Sequence, residues 1–302
     1  MKVAVTGATG VIGRAVVRAL VARGDDVVAL SRDASRAELG PGVEVHTWRA
    51  PKEEAAPAAA FDDVEGVVHL LGEPVAQRWT DEAKREIRDS RVLGTRNLIA
   101  GLRAAGPRLR VLVSQSATGI YGPHGGEPVD ESAPAGDDFL ASVVVEWEAE
   151  ARAGSDELGL RVPVCRTGVV LSPSGGALET MLTPFKLGVG GPVAGGQQYI
   201  PWVHIDDVAG ALLFALDSDE ADGPLNLTAP APVTNKEFSK ALGRALHRPA
   251  VLPVPGFAIR LLYGEMATIV TTGVRAEPRR LQELGYSFRQ PDLGRAIEAA
   301  LR

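Results

Sequence analysis

Lys2-Val-Ala-Val-Thr6 passes straight into Gly7-Ala-Thr-Gly10-Val-Ile-Gly13, and from Val11 to Ala22 apolar residues recur at helical spacing. A β-branched and apolar run, a glycine turn and an amphipathic stretch make a strand-turn-helix opening. At that junction the backbone must turn tightly and approach a ligand without a Cβ in the way. The amino end of the helix then offers free N–H groups and a positive dipole end to a diphosphate. The unit predicts a dinucleotide loop rather than an ordinary glycine turn, with Gly13 serving close helix packing.

The same punctuation continues outward. Val27 to Leu30, Gly66 to Leu71, Arg110 to Ser114 and Val162 to Leu171 are apolar runs, continuous rather than alternating, which suits strands covered on both faces of a parallel sheet. Helical patterns fill the gaps at Asp81 to Ala105 and Leu140 to Arg152. Strands alternating with helices predict an α/β fold, a Rossmann-type doubly wound parallel sheet. After residue 172 the chain becomes rich in glycine and proline, as in Gly188-Val-Gly-Gly-Pro192 and Gly195-Gly196. A smaller C-terminal α+β lobe is therefore expected over residues 173–302. Residues 203–227 should pack back on the 1–172 domain, with Trp202 to Leu216 forming a strand end, an N-cap at Asp206 or Asp207, and a helix.

Composition narrows the function classes. Among 302 residues the formal net charge is −6, and no Lys/Arg cluster offers the counterion-displacing footprint of a nucleic-acid binder. A single cysteine, Cys165, can build neither an internal disulfide nor a thiolate metal cluster, and reads as a small buried apolar residue. The five histidines show no ligand spacing, so no metal is expected. No apolar targeting segment or membrane span is apparent, and a cytoplasmic protein is expected.

Cofactor choice should be decided at the tip of the second strand, where a carboxylate would accept from a ribose 2′-hydroxyl. Here the residues are Leu30-Ser31-Arg32. A hydroxyl and a guanidinium at Ser31 and Arg32 suit a 2′-phosphate, which favours NADP(H), with NAD(H) the alternative. Asp33 could pair with Arg32 on the surface.

With the G-x-x-G-x-x-G loop, Val67-Val-His-Leu-Leu-Gly72 and Ser114-Gln-Ser-Ala-Thr-Gly-Ile-Tyr-Gly122 in hand, the chain resembles the extended short-chain dehydrogenase/reductases, the NAD(P)-dependent epimerase/dehydratase group. Gly72-Glu-Pro74, Arg78-Trp-Thr80, Gly175-Gly-Ala-Leu178, Trp202-Val-His-Ile-Asp-Asp207 and Gly285-Tyr-Ser-Phe-Arg-Gln-Pro291 are similar to an atypical branch that carries a C-terminal domain of unknown function. The resemblance implies a Rossmann domain with a small lobe closing over the nicotinamide. It assigns Gly7, Thr9, Gly10, Val11, Ile12 and Gly13 to the phosphate loop, and Leu71 and Gly72 to the adenosine ribose. It assigns Ser114 to the nicotinamide ribose, and Arg166, within Cys165-Arg-Thr-Gly-Val169, to the carboxamide side. It also implies an oxidoreductase acting on a small carbonyl or sugar-like substrate, and a homodimer paired through the helices near Asp81 to Ala105 and Leu140 to Arg152.

One departure weighs against turnover. Members of the group use a Tyr and, four residues later, a Lys that lowers the phenol pKa. Four residues beyond Tyr121, Tyr199, Tyr263 and Tyr286 stand Gly125, Val203, Ala267 and Gln290. Both positions read apolar in the helix where the pair is expected. Ser116 and Thr118 lie where the assisting hydroxyl belongs, and Tyr121 belongs to a structural turn. Glu73 is a candidate substrate carboxylate or else a loop ion pair. Arg78 is a further substrate candidate, Trp79 suits packing, and His204 suits a hydrogen-bonded strand end. The rival to an enzyme is a non-catalytic NADP(H)-binding sensor.

Overall fold

Parallel strands with both faces covered form the centre of the molecule, whose computed structural model describes residues 1–103 and 108–302, with the backbone alone at Ser155. In chain order come β1 (Lys2–Thr6), α1 (Val11–Arg23), β2 (Asp26–Ser31), β3 (Val43–Thr47), β4 (Gly66–His69), α2 (Asp81–Leu102), β5 (Val111–Ala117), β6 (Pro128–Val129), α3 (Phe139–Leu158) and β7 (Pro163–Thr167). There follow β8 (Val169–Leu171), α4 (Ala177–Lys186), β9 (Tyr199–Ile200), β10 (Trp202–His204), α5 (Ile205–Asp217) and β11 (Gly223–Leu227). The main sheet has the order β11-β7-β5-β4-β1-β2-β3, and all neighbours run parallel. This is the Rossmann-type doubly wound sheet.

Successive strand residues point to opposite faces, and here both faces are buried. Val3 and Val5 join a core with Val16 and Leu20 of α1 and Val208 and Leu212 of α5. Ala4 faces the other core, with Leu98 of α2 and Ala151 of α3. Thr6 is level with Leu30 on one side and His69 on the other, and His69 with Ser114. The carboxyl ends of β1, β2, β4 and β5 therefore open along one edge, where the connecting loops must build any site.

Several boundaries differ from expectation for identifiable reasons. The run Val162 to Leu171 is two strands: β7 stays in the main sheet while β8 pairs with β10. The expected N-cap at Asp206 or Asp207 is instead His204, whose Nδ1 accepts from the Asp206 N–H at 3.2 Å. Asp207 is fully buried and accepts from the Arg289 and Gln290 amides at 2.6 and 2.8 Å. It pins the C-terminal segment to the sheet, where Leu281 enters the same core as β1. Within residues 173–302, α4, helix Asn235–Ala245 and helix Leu293–Ala300 gather around Trp202, while Leu281, Leu284, Tyr286 and Phe288 pack against the core that β1 and α5 share.

Helix α2 begins at Thr80, whose hydroxyl accepts from the Ala83 N–H. Its expected end at Ala105 lies outside the described residues. It packs beside α3, bridged by the ion pairs Arg88–Glu146, Arg96–Glu150 and Arg103–Glu157. Val143 and Val144 are core, whereas Val145 is exposed. No helix among the described residues is long and apolar enough to cross a membrane.

Candidate functional site

A cleft of about 400 Å³ opens along the carboxyl edge of the sheet, and every residue lining it lies between 7 and 170. Its floor at the centre is the β1–α1 turn. Gly7 has φ +63°, and a Cβ there would stand 2.5 Å from the Leu70 carbonyl oxygen. A Cβ on Gly13 would stand 2.2 Å from the Gly7 oxygen, so α1 starts in direct contact with the turn. The N-cap is Gly10, which has no capping side chain, and the first turn of α1 carries no acidic residue. The first amides of α1 therefore face the cleft region without side-chain competition, an arrangement suited to an anion. Gly7, Gly10, Val11, Ile12 and Gly13 line the cleft. Thr9 does not; it is exposed, and its carbonyl accepts from Arg14 Nε at 2.9 Å.

Beneath the turn, Thr6 Oγ1 and His69 Nδ1 are 2.7 Å apart, and His69 Nε2 and Thr95 Oγ1 are 2.9 Å apart. Burial alone pulls the His69 pKa down to about 3, so the imidazole is neutral and matches one donor and one acceptor to two hydroxyls. The unfolded chain takes up this proton near pH 6.5 and the folded one only near 3. Stability from His69 is therefore complete above about pH 6.5 and falls as pH drops, by about 1.4 kcal/mol per unit. Urea unfolding at pH 7 and pH 5 should show a loss that is smaller in His69→Gln by about 2 kcal/mol; equal losses would remove His69 from the account.

On the β2 side, Ser31 Oγ bonds the Asp33 backbone at 3.2 and 3.3 Å. The Asp33 carboxylate caps the following turn through the Ser35 N–H and hydroxyl at 3.0 and 2.6 Å. It is not Asp33 but Glu73 that meets Arg32, at 3.4 Å across an exposed gap. Such a pair is weak and readily exchanged for a bound anion. Glu73 lines the cleft, and its N–H donates to Ser90 Oγ at 3.0 Å. Leu71 and Gly72 line the same wall.

On the β5 and β7 side, Ser116 lines the cleft and its hydroxyl donates to Glu148 Oε1 at 2.6 Å. Glu148 is 1% exposed and also accepts from Arg166 Nε and Nη2 at 2.9 and 3.0 Å. Burial would pull the Arg166 guanidinium down, but Glu148 and Tyr121 more than reverse this and hold it above its ordinary value. Tyr121 accepts from Arg166 Nη1 at 3.1 Å and donates to Asn226 Oδ1 at 2.7 Å.

Three expectations change accordingly. Arg166, expected on the carboxamide side, is turned away from the cleft and locked against Glu148, which a buried cation requires. Ser114 is wholly buried inside the sheet, and its successors Gln115, Ser116 and Ala117 form the wall instead. Thr118 is buried in a 3₁₀ turn off the cleft. Trp79 packs edge-on against Phe139 at 5.2 Å.

Sequence reasoning missed Arg91, Trp147 and Glu148. Arg91 and Trp147 line the cleft, with the guanidinium 5.2 Å from the indole centroid. Burial lowers the Arg91 pKa to about 10, partly opposed by Glu73, so it stays charged at neutral pH. The available signal was the middle glutamate of Glu146-Trp-Glu148-Ala-Glu150 after the apolar Val143-Val-Val145 run, and nothing local separates it from its neighbours or reveals its partner eighteen positions on. Among the described residues no three His, Cys, Asp or Glu side chains gather as a metal ligand set.

Comparison with known proteins agrees with this geometry. Residues 3–227 match the model described as "NAD dependent epimerase/dehydratase family", and residues 254–300 match "Domain of unknown function (DUF1731)". The chain is 40% identical over 297 residues to the epimerase family protein Mb2239 of Mycobacterium bovis, covering 98% of this chain and 96% of that protein. The crystal structure of human epimerase family protein SDR39U1 (isoform2) with NADPH superposes with a TM-score of 0.88 at 36% identity, covering 100% and 99% of the two chains. UDP-glucuronic acid 4-epimerase from Bacillus cereus, solved in complex with NAD, shares the fold at a TM-score of 0.79 and 17% identity, covering 100% and 96%. Strand order, glycine turn and full-length similarity together place the chain in the NAD dependent epimerase/dehydratase family, with a C-terminal domain of unknown function.

Proposed function

We propose that the cleft binds NADP(H) and that the protein is an oxidoreductase of the epimerase/dehydratase type, acting on a small carbonyl or sugar-like substrate. The observation that carries the reading is the uncapped amino end of α1 in the cleft, together with an Arg32 that Asp33 does not neutralise at the end of β2, the strand next to β1. The human SDR39U1 structure with NADPH supports it. The α1 amides would hold the diphosphate and Arg32 the 2′-phosphate, displacing Glu73. When bound, the nicotinamide supplies or takes up a hydride. Ser116, near the end of β5, lines the cleft with its proton held by Glu148, so this hydroxyl offers a ligand an acceptor and no proton.

Calorimetry should find NADPH bound about tenfold tighter than NADH, one charge-assisted contact being worth that much. Arg32→Ala should bring the two close together. Equal affinities in the unmodified protein would return the preference to NAD(H), and no heat with either would remove the dinucleotide reading.

One observation favours a second reading, a non-catalytic NADP(H)-binding sensor. Among the described residues neither a tyrosine nor a lysine lines the cleft. Protein that binds NADPH yet never consumes it across a broad carbonyl panel would decide for the sensor.

A further inference from the structure

Among the described residues three buried side-chain polar atoms lack a hydrogen-bond partner: Trp147 Nε1, His204 Nε2 and Arg275 Nε. Of these residues only Trp147 lines the cleft, and it is 3% exposed. A buried N–H without a partner bears the full loss of its hydration. Its position says what could complete it. With β1 as the reference, Arg32 lies at the β2 side, whereas Gln115, Ser116 and Thr167 of β5 and β7, which line the cleft together with Trp147 of α3, lie on the opposite side. A dinucleotide with its diphosphate at α1 and its 2′-phosphate at Arg32 extends its other nucleoside toward β5 and β7.

Ser116 adds the complementary half. Glu148, held by Arg166, can only accept, so the proton in the 2.6 Å contact is the serine's own. The Ser116 oxygen therefore meets a ligand as an acceptor. Trp147 thus carries a donor that no group among the described residues uses and Ser116 an acceptor with spare lone pairs, a pair that suits hydroxyl groups, since these both accept and donate.

We propose that Trp147 and Ser116 hold the nicotinamide nucleoside of the cofactor through its ribose hydroxyls, a task for which this cleft has no lysine. The assignment rests on the NADP(H) reading above. Trp147→Phe keeps an aromatic ring beside Arg91 and removes only the N–H and part of the ring system. Calorimetry should show the NADPH dissociation constant raised about five- to tenfold. The probe 2′,5′-ADP, which carries the adenosine 2′-phosphate half alone, should bind both proteins equally. Ser116→Ala should move NADPH in the same direction and leave 2′,5′-ADP unmoved. Trp147→Phe with unchanged NADPH affinity, or with equal losses for NADPH and 2′,5′-ADP, overturns the assignment. Unmodified protein that binds 2′,5′-ADP but gains nothing from the nicotinamide half overturns it too. Unmodified protein that binds neither probe instead brings down the NADP(H) reading itself.

Discussion

Gly13→Ala should abolish tight NADPH binding and lower the melting temperature, while Gly10→Ala leaves the melting temperature nearly unchanged. The added methyl at position 13 would fall 2.2 Å from the Gly7 oxygen and 2.7 and 2.8 Å from the Ala8 Cα and carbonyl carbon. All three are backbone atoms, so no side-chain rotation relieves the clash, and α1 must move away from the turn. Overpacking of this kind typically costs about 1–3 kcal/mol. The same movement displaces the amides that would hold the diphosphate. Losing two charge-assisted hydrogen bonds raises the dissociation constant by roughly a hundredfold or more. At Gly10 the nearest atom to an added Cβ is the Gly7 oxygen at 3.3 Å, a contact that small shifts absorb. Thermal unfolding and NADPH titration of both variants check the pair of outcomes. A Gly13→Ala protein that melts with the unmodified one and binds NADPH as tightly would mean that the turn and α1 are not rigidly coupled.

What could be read from residues alone follows the range of the forces involved. β1, β2, β4 and β5 were legible because strands buried on both faces must be apolar throughout. β3 was not, since Val43-Glu-Val-His-Thr47 lies at the sheet edge, is nowhere fully buried, and alternates polar with apolar. α3 runs to Leu158, beyond the expected Arg152, through a stretch with no apolar periodicity to announce it. The glycine turn between β1 and α1 was legible because glycine spacing encodes a local backbone geometry. The candidate site's other walls were not, because they depend on contacts between remote elements. Asp207 reads as a helix cap, yet its carboxylate is taken by the Arg289 and Gln290 amides, which leaves His204 to cap α5. Arg166 was assigned to the cofactor from the family resemblance of Cys165-Arg-Thr-Gly-Val169. The pairing that removes it comes from α3, a different element, and leaves no mark in the strand's own pattern.

Glu148→Ala should lose about 3–5 kcal/mol of stability, the expected range for stripping the partner from a buried ion pair. Arg166 is 6% exposed, and besides Glu148 it contacts only the Tyr121 hydroxyl and the Glu131 carbonyl among hydrogen-bond partners. Both are neutral, so truncating Glu148 strands a cation in the interior rather than merely deleting hydrogen bonds. For a chain of this size that loss corresponds to a fall in melting temperature on the order of 10 °C. Replacing both residues, as in Glu148→Met with Arg166→Met, should recover much of the loss, because the penalty belongs to the unpaired charge and not to missing volume. Urea unfolding of the two single variants and the double variant reads this coupling directly. Additive losses in the double variant would show that the pair is not the unit holding α3 to β7. The single variant also bears on the cleft, since Glu148 alone fixes the Ser116 proton. Once released, that hydroxyl can donate to a ligand as well as accept from it. The stability of α3 against the sheet and the hydrogen-bonding sense of the cleft wall therefore depend on the same carboxylate.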